Sequence, residues 1–267
     1  MSLKINELNI HPLKSGKSIS LKKVKLCEAG FQYDRQWMLV DKNGQFLTQR
    51  THPHLANISF DPVSEEGIIH CSYLGTNQFN FLINSITTTK IQVSIWDESF
   101  QPCTYPDIVD EWFSEILQIP CKLVHIYQTQ KRTIHKSSVG KSIRVNFPDG
   151  YPLLLISQAS VDDLNSRLTQ PVQADRFRAN IVVNGTQPFS EDEWKTIRIK
   201  DIPLKVVKPC ARCNIINVDQ KTGNHSREPL RTLSLYRNFN NGIHFGVNMI
   251  HLSEGLLSIG DEVEIIE

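Results

Sequence analysis

Trp37-Met38-Leu39-Val40-Asp41-Lys42-Asn43-Gly44-Gln45-Phe46-Leu47-Thr48 sets two apolar runs on either side of an Asn-Gly pair. Both turn residues tolerate the positive φ of a tight hairpin turn, so the stretch predicts a β-hairpin. Outward from it, short β-leaning runs recur at 55–60, 67–71, 79–83 and 91–95, separated by turn residues. That spacing belongs to a sheet sandwich or small barrel, and the first hundred residues are expected to be mostly β. After Pro106, Val109, Trp112, Phe113, Ile116 and Leu117 fall on one face at helical spacing, and the helix should end near Pro120. Beyond it a buried strand at 153–156 leads to Ser157, a candidate cap for a helix striped by Val161, Leu164 and Leu168. Strands are expected at 180–183, 197–199, 204–207, 213–218, 243–250 and 262–266. The fold class is therefore mainly β with flanking helices, an α+β chain in two parts, 1–120 and 121–267. No Gly/Ser linker separates them, so close packing is expected.

With 267 residues the chain can bury a core without a disulfide or metal staple. Lys and Arg number 29 against 28 Asp and Glu, so the overall basic excess of a general nucleic-acid binder is lacking. Any anion site must be local, and no nucleic-acid partner is expected. Residues 1–10 carry no apolar signal core, and the longest aliphatic run, 153–156, is far too short to span a bilayer. A cytoplasmic protein with no membrane partner is the expectation.

Two stretches, Gly16-Lys17-Ser18 and Gly140-Lys141-Ser142, end like a phosphate loop, but His11 and His135 stand where its first glycine is required. Gly-x-Gly-x-x-Gly, His-Glu-x-x-His and Gly-x-Ser-x-Gly do not occur, which lowers the dinucleotide, zincin and α/β-hydrolase readings. Of the 6 cysteines, Cys27, Cys71, Cys103 and Cys121 are scattered, whereas Cys210 and Cys213 form Pro209-Cys210-Ala211-Arg212-Cys213. A neighbouring guanidinium favours the thiolate, the form that ligates metal or attacks sulfur. Four readings stand open for this pair: a silent structural pair, half of a zinc site, a dithiol redox site, or a soft-metal ligand. Zinc would need four ligands, and a dithiol redox pair ordinarily opens a helix, whereas a strand is expected here. Cations in β context form a second group: His11-Pro12-Leu13-Lys14-Ser15, Asp34-Arg35, Thr48-Gln49-Arg50 and Arg176-Phe177-Arg178. Each alone is as well explained by a solvated surface or a salt bridge. Asn180 and Asn248 sit in apolar strands, where a hydrogen-bonded core amide is the plain reading.

In order, these segments resemble the MOSC family, in its YcbX-like branch, which includes the mitochondrial amidoxime-reducing components. The likeness runs from His11-Pro12-Leu13-Lys14-Ser15 through Asp34-Arg35, Phe46-Leu47-Thr48-Gln49-Arg50, Phe177-Arg178-Ala179-Asn180-Ile181 and the Cys210/Cys213 loop to Phe245-Gly246-Val247-Asn248. It implies a MOSC N-terminal β-barrel-like domain over 1–120 packed on a MOSC β-barrel domain over 121–267. It also implies a molybdenum cofactor, with Cys213 as metal ligand and catalytic residue. Lys14, Ser15, Arg35, Arg178 and Asn180 match positions that hold the pterin and its phosphate. Cys210, Ala211 and Arg212 match the same loop, and 149–151 and 246–248, Asn248 included, match cofactor-contacting segments. The implied reaction is reduction of small N-hydroxylated compounds, N–OH to N–H. Longer relatives carry an iron-sulfur domain that this chain is expected to lack, so electrons would come from an external flavin or iron-sulfur protein. The alternatives are a non-catalytic molybdenum-cofactor or sulfur carrier, and a binding module whose basic loops hold nucleic acid or another phosphate ligand and whose cysteines are structural.

Overall fold

The computed structural model describes residues 2–127, 132–136 and 140–267. Its largest sheet has nine strands. In spatial order they are Ile19–Leu21, Lys4–Ile10, Ile181–Asn184, Leu153–Ser157, Gly242–His251, Ile202–Ala211, Thr196–Ile199 and Val263–Ile265, with Asn238–Phe239 paired to Gly242–His251. Leu153–Ser157 runs parallel to Ile181–Asn184, and the helix Gln158–Asn165 lies on the crossover between them. The unbroken aliphatic run at 153–156 follows from this central place. Leu153 and Leu155 face one core cluster, while Leu154 and Ile156 face another, so neither side of the strand meets water.

The fold is mostly β, as the turn spacing predicts, but the large sheet is not a continuous closed barrel. Its last strand, Val263–Ile265, comes back to the start of Lys4–Ile10, the second strand, through an isolated bridge, Lys4 to Glu262, with Ile5 N donating to Asp261 O and Val263 N to Leu3 O, both at 3.0 Å. Trp37–Val40 is a strand, and its Asn-Gly turn forms with Gly44 at φ +74. Asp41 Oδ1 accepts from the backbone N–H groups of Asn43 and Gln45. The return leg keeps a bridge, Val40 to Phe46, and Leu47 N donating to Leu39 O at 2.8 Å, but goes no further because Trp37 pairs there with Leu13 instead; Lys122–His125 takes the opposite edge in full register.

The helix Asp107–Leu117 forms and presses Val109, Trp112 and Phe113 into a core around Trp37 and Phe60. Ser157 caps the second helix, accepting from Ser160 N at 3.1 Å, but that helix stops at Asn165, before Leu168. Two expectations are corrected. The run at 55–60 opens as a 3-10 turn, Pro53–Asn57, and becomes a strand only at Ile58–Phe60. The run at 213–218 is not a strand but a 3-10 turn, Asn214–Asn217. Asn217 fixes it: its side chain accepts from Leu230 N at 3.0 Å and its carbonyl from Ser226 N at 3.1 Å, so Ile216 turns into the core. The Cys210/Cys213 loop therefore leaves a strand, Ile202–Ala211, and enters a short helical turn. No strand directly follows Cys213 to count against a dithiol pair. Among the described residues no helix is long and apolar enough to cross a membrane.

Candidate functional site

Where the first strand and the hairpin strand meet the Cys210/Cys213 loop, a cavity of about 350 Å³ opens. Lys14, Ser15, Arg35, Arg178, Asn180, Cys210, Ala211, Arg212, Cys213 and Asn248, all proposed from the family likeness, line it, as does the segment 149–151, whereas Gly246 and Val247 of the segment 246–248 do not, Val247 being packed in the core. Three of them, Ser15 (φ 65), Arg35 (φ 50) and Arg178 (φ 54), hold left-handed backbone without being glycine. Such conformations cost about 1–3 kcal/mol each and persist only where surroundings over-determine them. Here the surroundings are specific. Ser15 O accepts from Gln49 Nε2 at 2.7 Å, Arg35 N donates to His11 O at 2.8 Å, and Arg178 N donates to Asp175 O at 3.0 Å.

The cations come from both parts of the sequence. Lys14 Nζ donates to Phe147 O at 2.9 Å and to Asp149 Oδ1. Burial pushes its pKa down, while Asp149 pulls it back up. Arg35 pairs with Asp34, reaches Asn180 Oδ1 at 3.3 Å and donates to Arg178 O at 3.1 Å. Arg178 Nη1 donates to Gly16 O at 2.6 Å, but its Nη2 is buried with no hydrogen-bond partner among the described residues. Burial, then the nearby Arg35 charge, lowers this guanidinium to about 9. An unpaired buried donor beside a second cation is a costly arrangement that an anion would relieve.

Two acids balance the cluster in part. Burial works against ionising Asp34, yet Arg35 and His11 hold it at about 2. Asp149 is likewise held at about 2, burial being outweighed by Lys14, Arg50 and Arg35. His11 lies beneath, its ring neutral; burial and then Arg178 and Arg35 lower it to about 3.

Asn180 lines the cavity but spends its amide internally. Its Oδ1 accepts from Leu154 N at 3.2 Å and from Arg35, and its Nδ2 donates to Asn9 O at 3.2 Å. It positions Arg35 and the central strand. Arg212 points back into the fold, donating to Phe245 O at 3.0 Å and Phe177 O at 3.1 Å, and so stiffens the cysteine loop. Cys210 is half-buried and Cys213 is exposed.

Arg50, which the sequence reading places among generic β-context cations, proves to matter. Its Nη1 lies 4.0 Å from Cys213 Sγ and 3.6 Å from Asp149 Oδ2. Gln49 and Gln220 exchange amide hydrogen bonds at 3.2 and 3.1 Å, tying the Ser15 loop to the segment after the cysteines. No spacing rule marks these residues, since each pairing crosses between the two parts of the chain.

The donor set suits a cofactor with an anionic arm and a soft metal: a fixed guanidinium with a free N–H, a buried ammonium, and an exposed thiol at the rim. Among the described residues no group of three or more His, Cys, Asp or Glu is placed to hold a metal ion. A metal on Cys213 would take its other ligands from the cofactor.

A family model described as the MOSC N-terminal beta barrel domain matches residues 2–120, and one described as the MOSC domain matches 142–264. Mitochondrial amidoxime-reducing component 1 of Danio rerio is 33% identical over 243 residues, covering 87% of this chain and 74% of that protein. The Homo sapiens protein of that name is 29% identical over 283 residues, covering 98% and 82%. Molybdenum cofactor sulfurase of Oryza sativa subsp. japonica is 33% identical over 262 residues, 91% of this chain, but the chain spans only 32% of its length. With both domain models matched in order and a relative 33% identical along 74% of its own length, this chain belongs to the MOSC family.

Proposed function

We propose that the cavity binds a molybdenum cofactor and that the protein reduces small N-hydroxylated compounds with electrons from a separate flavin or iron-sulfur protein. One observation carries the reading: the exposed sulfur of Cys213 shares a cavity with Lys14, Arg35 and an Arg178 whose buried Nη2 lacks a partner among the described residues. The names of the amidoxime-reducing relatives support it.

Arg178, Lys14 and Ser15 would hold the pterin phosphate, Arg35 and Asn180 would fix the approach of the two parts of the chain, and Cys213 would ligate the metal. When bound, the cofactor supplies the two-electron change that removes oxygen from nitrogen. The balance is R–NH–OH + 2 e⁻ + 2 H⁺ → R–NH₂ + H₂O. Asp149, held at about 2, is ionised at neutral pH; its task is to order Lys14 and Arg50, not to deliver a proton. Protein purified from molybdate-replete cells should carry about one molybdenum per chain, lost in Cys213→Ser. Metal-free protein from cells with an intact cofactor pathway would falsify the reading.

The sulfurase likeness favours a second reading, a non-catalytic cofactor or sulfur carrier. A carrier should show a persulfide on Cys210 or Cys213 by mass spectrometry and no turnover of N-hydroxylated compounds. Steady reduction of such a compound with a chemical reductant excludes it as the sole role.

A further inference from the structure

Trp96 stands at the tip between strands Val93–Ile95 and Glu98–Phe100, 55% exposed and with left-handed backbone, φ 53. A bulky residue in that region is an outlier, and an exposed indole returns little burial for the cost. Neighbouring rings and charge fix its position. The Phe46 ring meets it edge-on at 5.4 Å, and the Arg50 guanidinium lies over it at 4.8 Å and over Phe46 at 5.7 Å. Arg50 is the residue 4.0 Å from Cys213 Sγ, and Lys14 Nζ lies 5.0 Å from the Phe46 ring. An aromatic wall is thus joined by one side chain to the sulfur, and much of its outermost indole is open to solvent.

Resting on the reductase reading, we propose that Trp96, with Phe46 and Arg50 behind it, is a specificity wall that stacks planar conjugated substrates so that their N–OH end enters the mouth beside Cys213. An indole face accepts any flat π-system and does not read substituents, so the wall sorts substrates by planarity and size.

The test uses holoprotein, a chemical reductant, and two substrates with the same reacting group, N-hydroxybenzamidine and N-hydroxyacetamidine. In Trp96→Ala the ratio of their kcat/KM values should fall about 3- to 10-fold, the worth of one aromatic stack. Trp96→Phe, which keeps a ring, should recover most of that ratio. Calorimetric titration of N-hydroxybenzamidine into the same proteins should show Kd rising in step. A wall that instead receives a protein partner leaves the ratio at its wild-type value in Trp96→Ala, and that result overturns the proposal. A wild type that reduces neither compound sinks the reductase reading. Calorimetry then decides the wall alone: weaker binding in Trp96→Ala sustains it, equal binding ends it.

Discussion

In the Arg178 guanidinium Nη1 is occupied by Gly16 O, and Nη2 is buried with no hydrogen-bond partner among the described residues. Hydrogen bonds to charged groups are worth about 1.5–3 kcal/mol, so an anion on Nη2 would gain roughly 10- to 150-fold in affinity. Arg178→Gln should therefore release the cofactor during dialysis that wild type survives, with molybdenum and pterin falling together; equal retention in the two proteins would count against an anion site there. Cys213 makes the complementary case. It is exposed and outside the core, so Cys213→Ser should lose the metal yet shift the apoprotein melting temperature by no more than about 2 °C. A large drop would mean the thiol is structural. The sequence alone gives each of these residues a bland reading as well as a functional one. Lys14 and Arg178 lie in different parts of the chain, and only the fold brings them to one cavity. Family resemblance picked out Arg178, while Arg50, quoted in the same motifs, gave no sign that it would reach the sulfur.

At the level of elements, alternation and capping were legible where local chemistry was unopposed. Ser157 caps its helix, and Leu153–Ser157 is the central buried strand that its aliphatic run implies. They misled at 213–218, where Asn217 fixes a turn against the apolar pattern of Ile215 and Ile216. Glu191 beneath the same cap was not legible at all. Its Oε1 accepts from Ser157 N at 3.0 Å and Ser160 Oγ at 2.8 Å, its Oε2 has no hydrogen-bond partner among the described residues, and burial pushes its pKa up. A carboxyl raised in the folded state binds its proton more tightly there than in the unfolded chain. Its contribution is full below the unfolded pKa and declines as pH rises through the folded value. Glu191→Gln keeps an acceptor and removes the buried charge, so between pH 4.5 and pH 7 the variant's urea stability should rise more steeply with pH than that of wild type. Parallel pH dependence in the two proteins would show that Glu191 does not titrate in this window. Gly246 sets a backbone constraint in the neighbouring strand. At φ +71 an added Cβ would lie 2.5 Å from Leu155 O and Ile156 Cγ2, so Gly246→Ala should destabilise by at least about 1 kcal/mol, read from the denaturant midpoint.

Across the whole molecule, the two sequence parts exchange strands. Lys4–Ile10 pairs with Ile181–Asn184, and Lys122–His125 pairs with Trp37–Val40. Interleaving of this kind argues for one cooperative unit, with each part supplying neighbours that the other's sheets need. The acid response of that unit follows from two histidines buried in different cores. His11 lies under the cavity cations, and His125 stacks on Trp37 at 4.7 Å with Nδ1 3.0 Å from the Tyr105 hydroxyl. Burial lowers both to about 3, with Arg178 and Arg35 adding to the effect at His11. The unfolded chain protonates them near 6.5, so between about pH 6.5 and 3 it binds more protons than the folded chain. Stability should fall as pH drops through that window, each histidine adding up to about 1.4 kcal/mol per pH unit to the slope. Asp34 and Asp149, both held at about 2, extend the loss below pH 4, where the unfolded carboxyls take up protons first. Acid destabilisation should thus begin near pH 6, well above the carboxylate range. His125→Phe keeps a ring against Trp37 and removes one titrating group, so its stability-against-pH slope between pH 6 and 4.5 should be shallower than wild type by about one histidine's share. Parallel slopes in the two proteins would mean that His125 is not the buried neutral group its surroundings require.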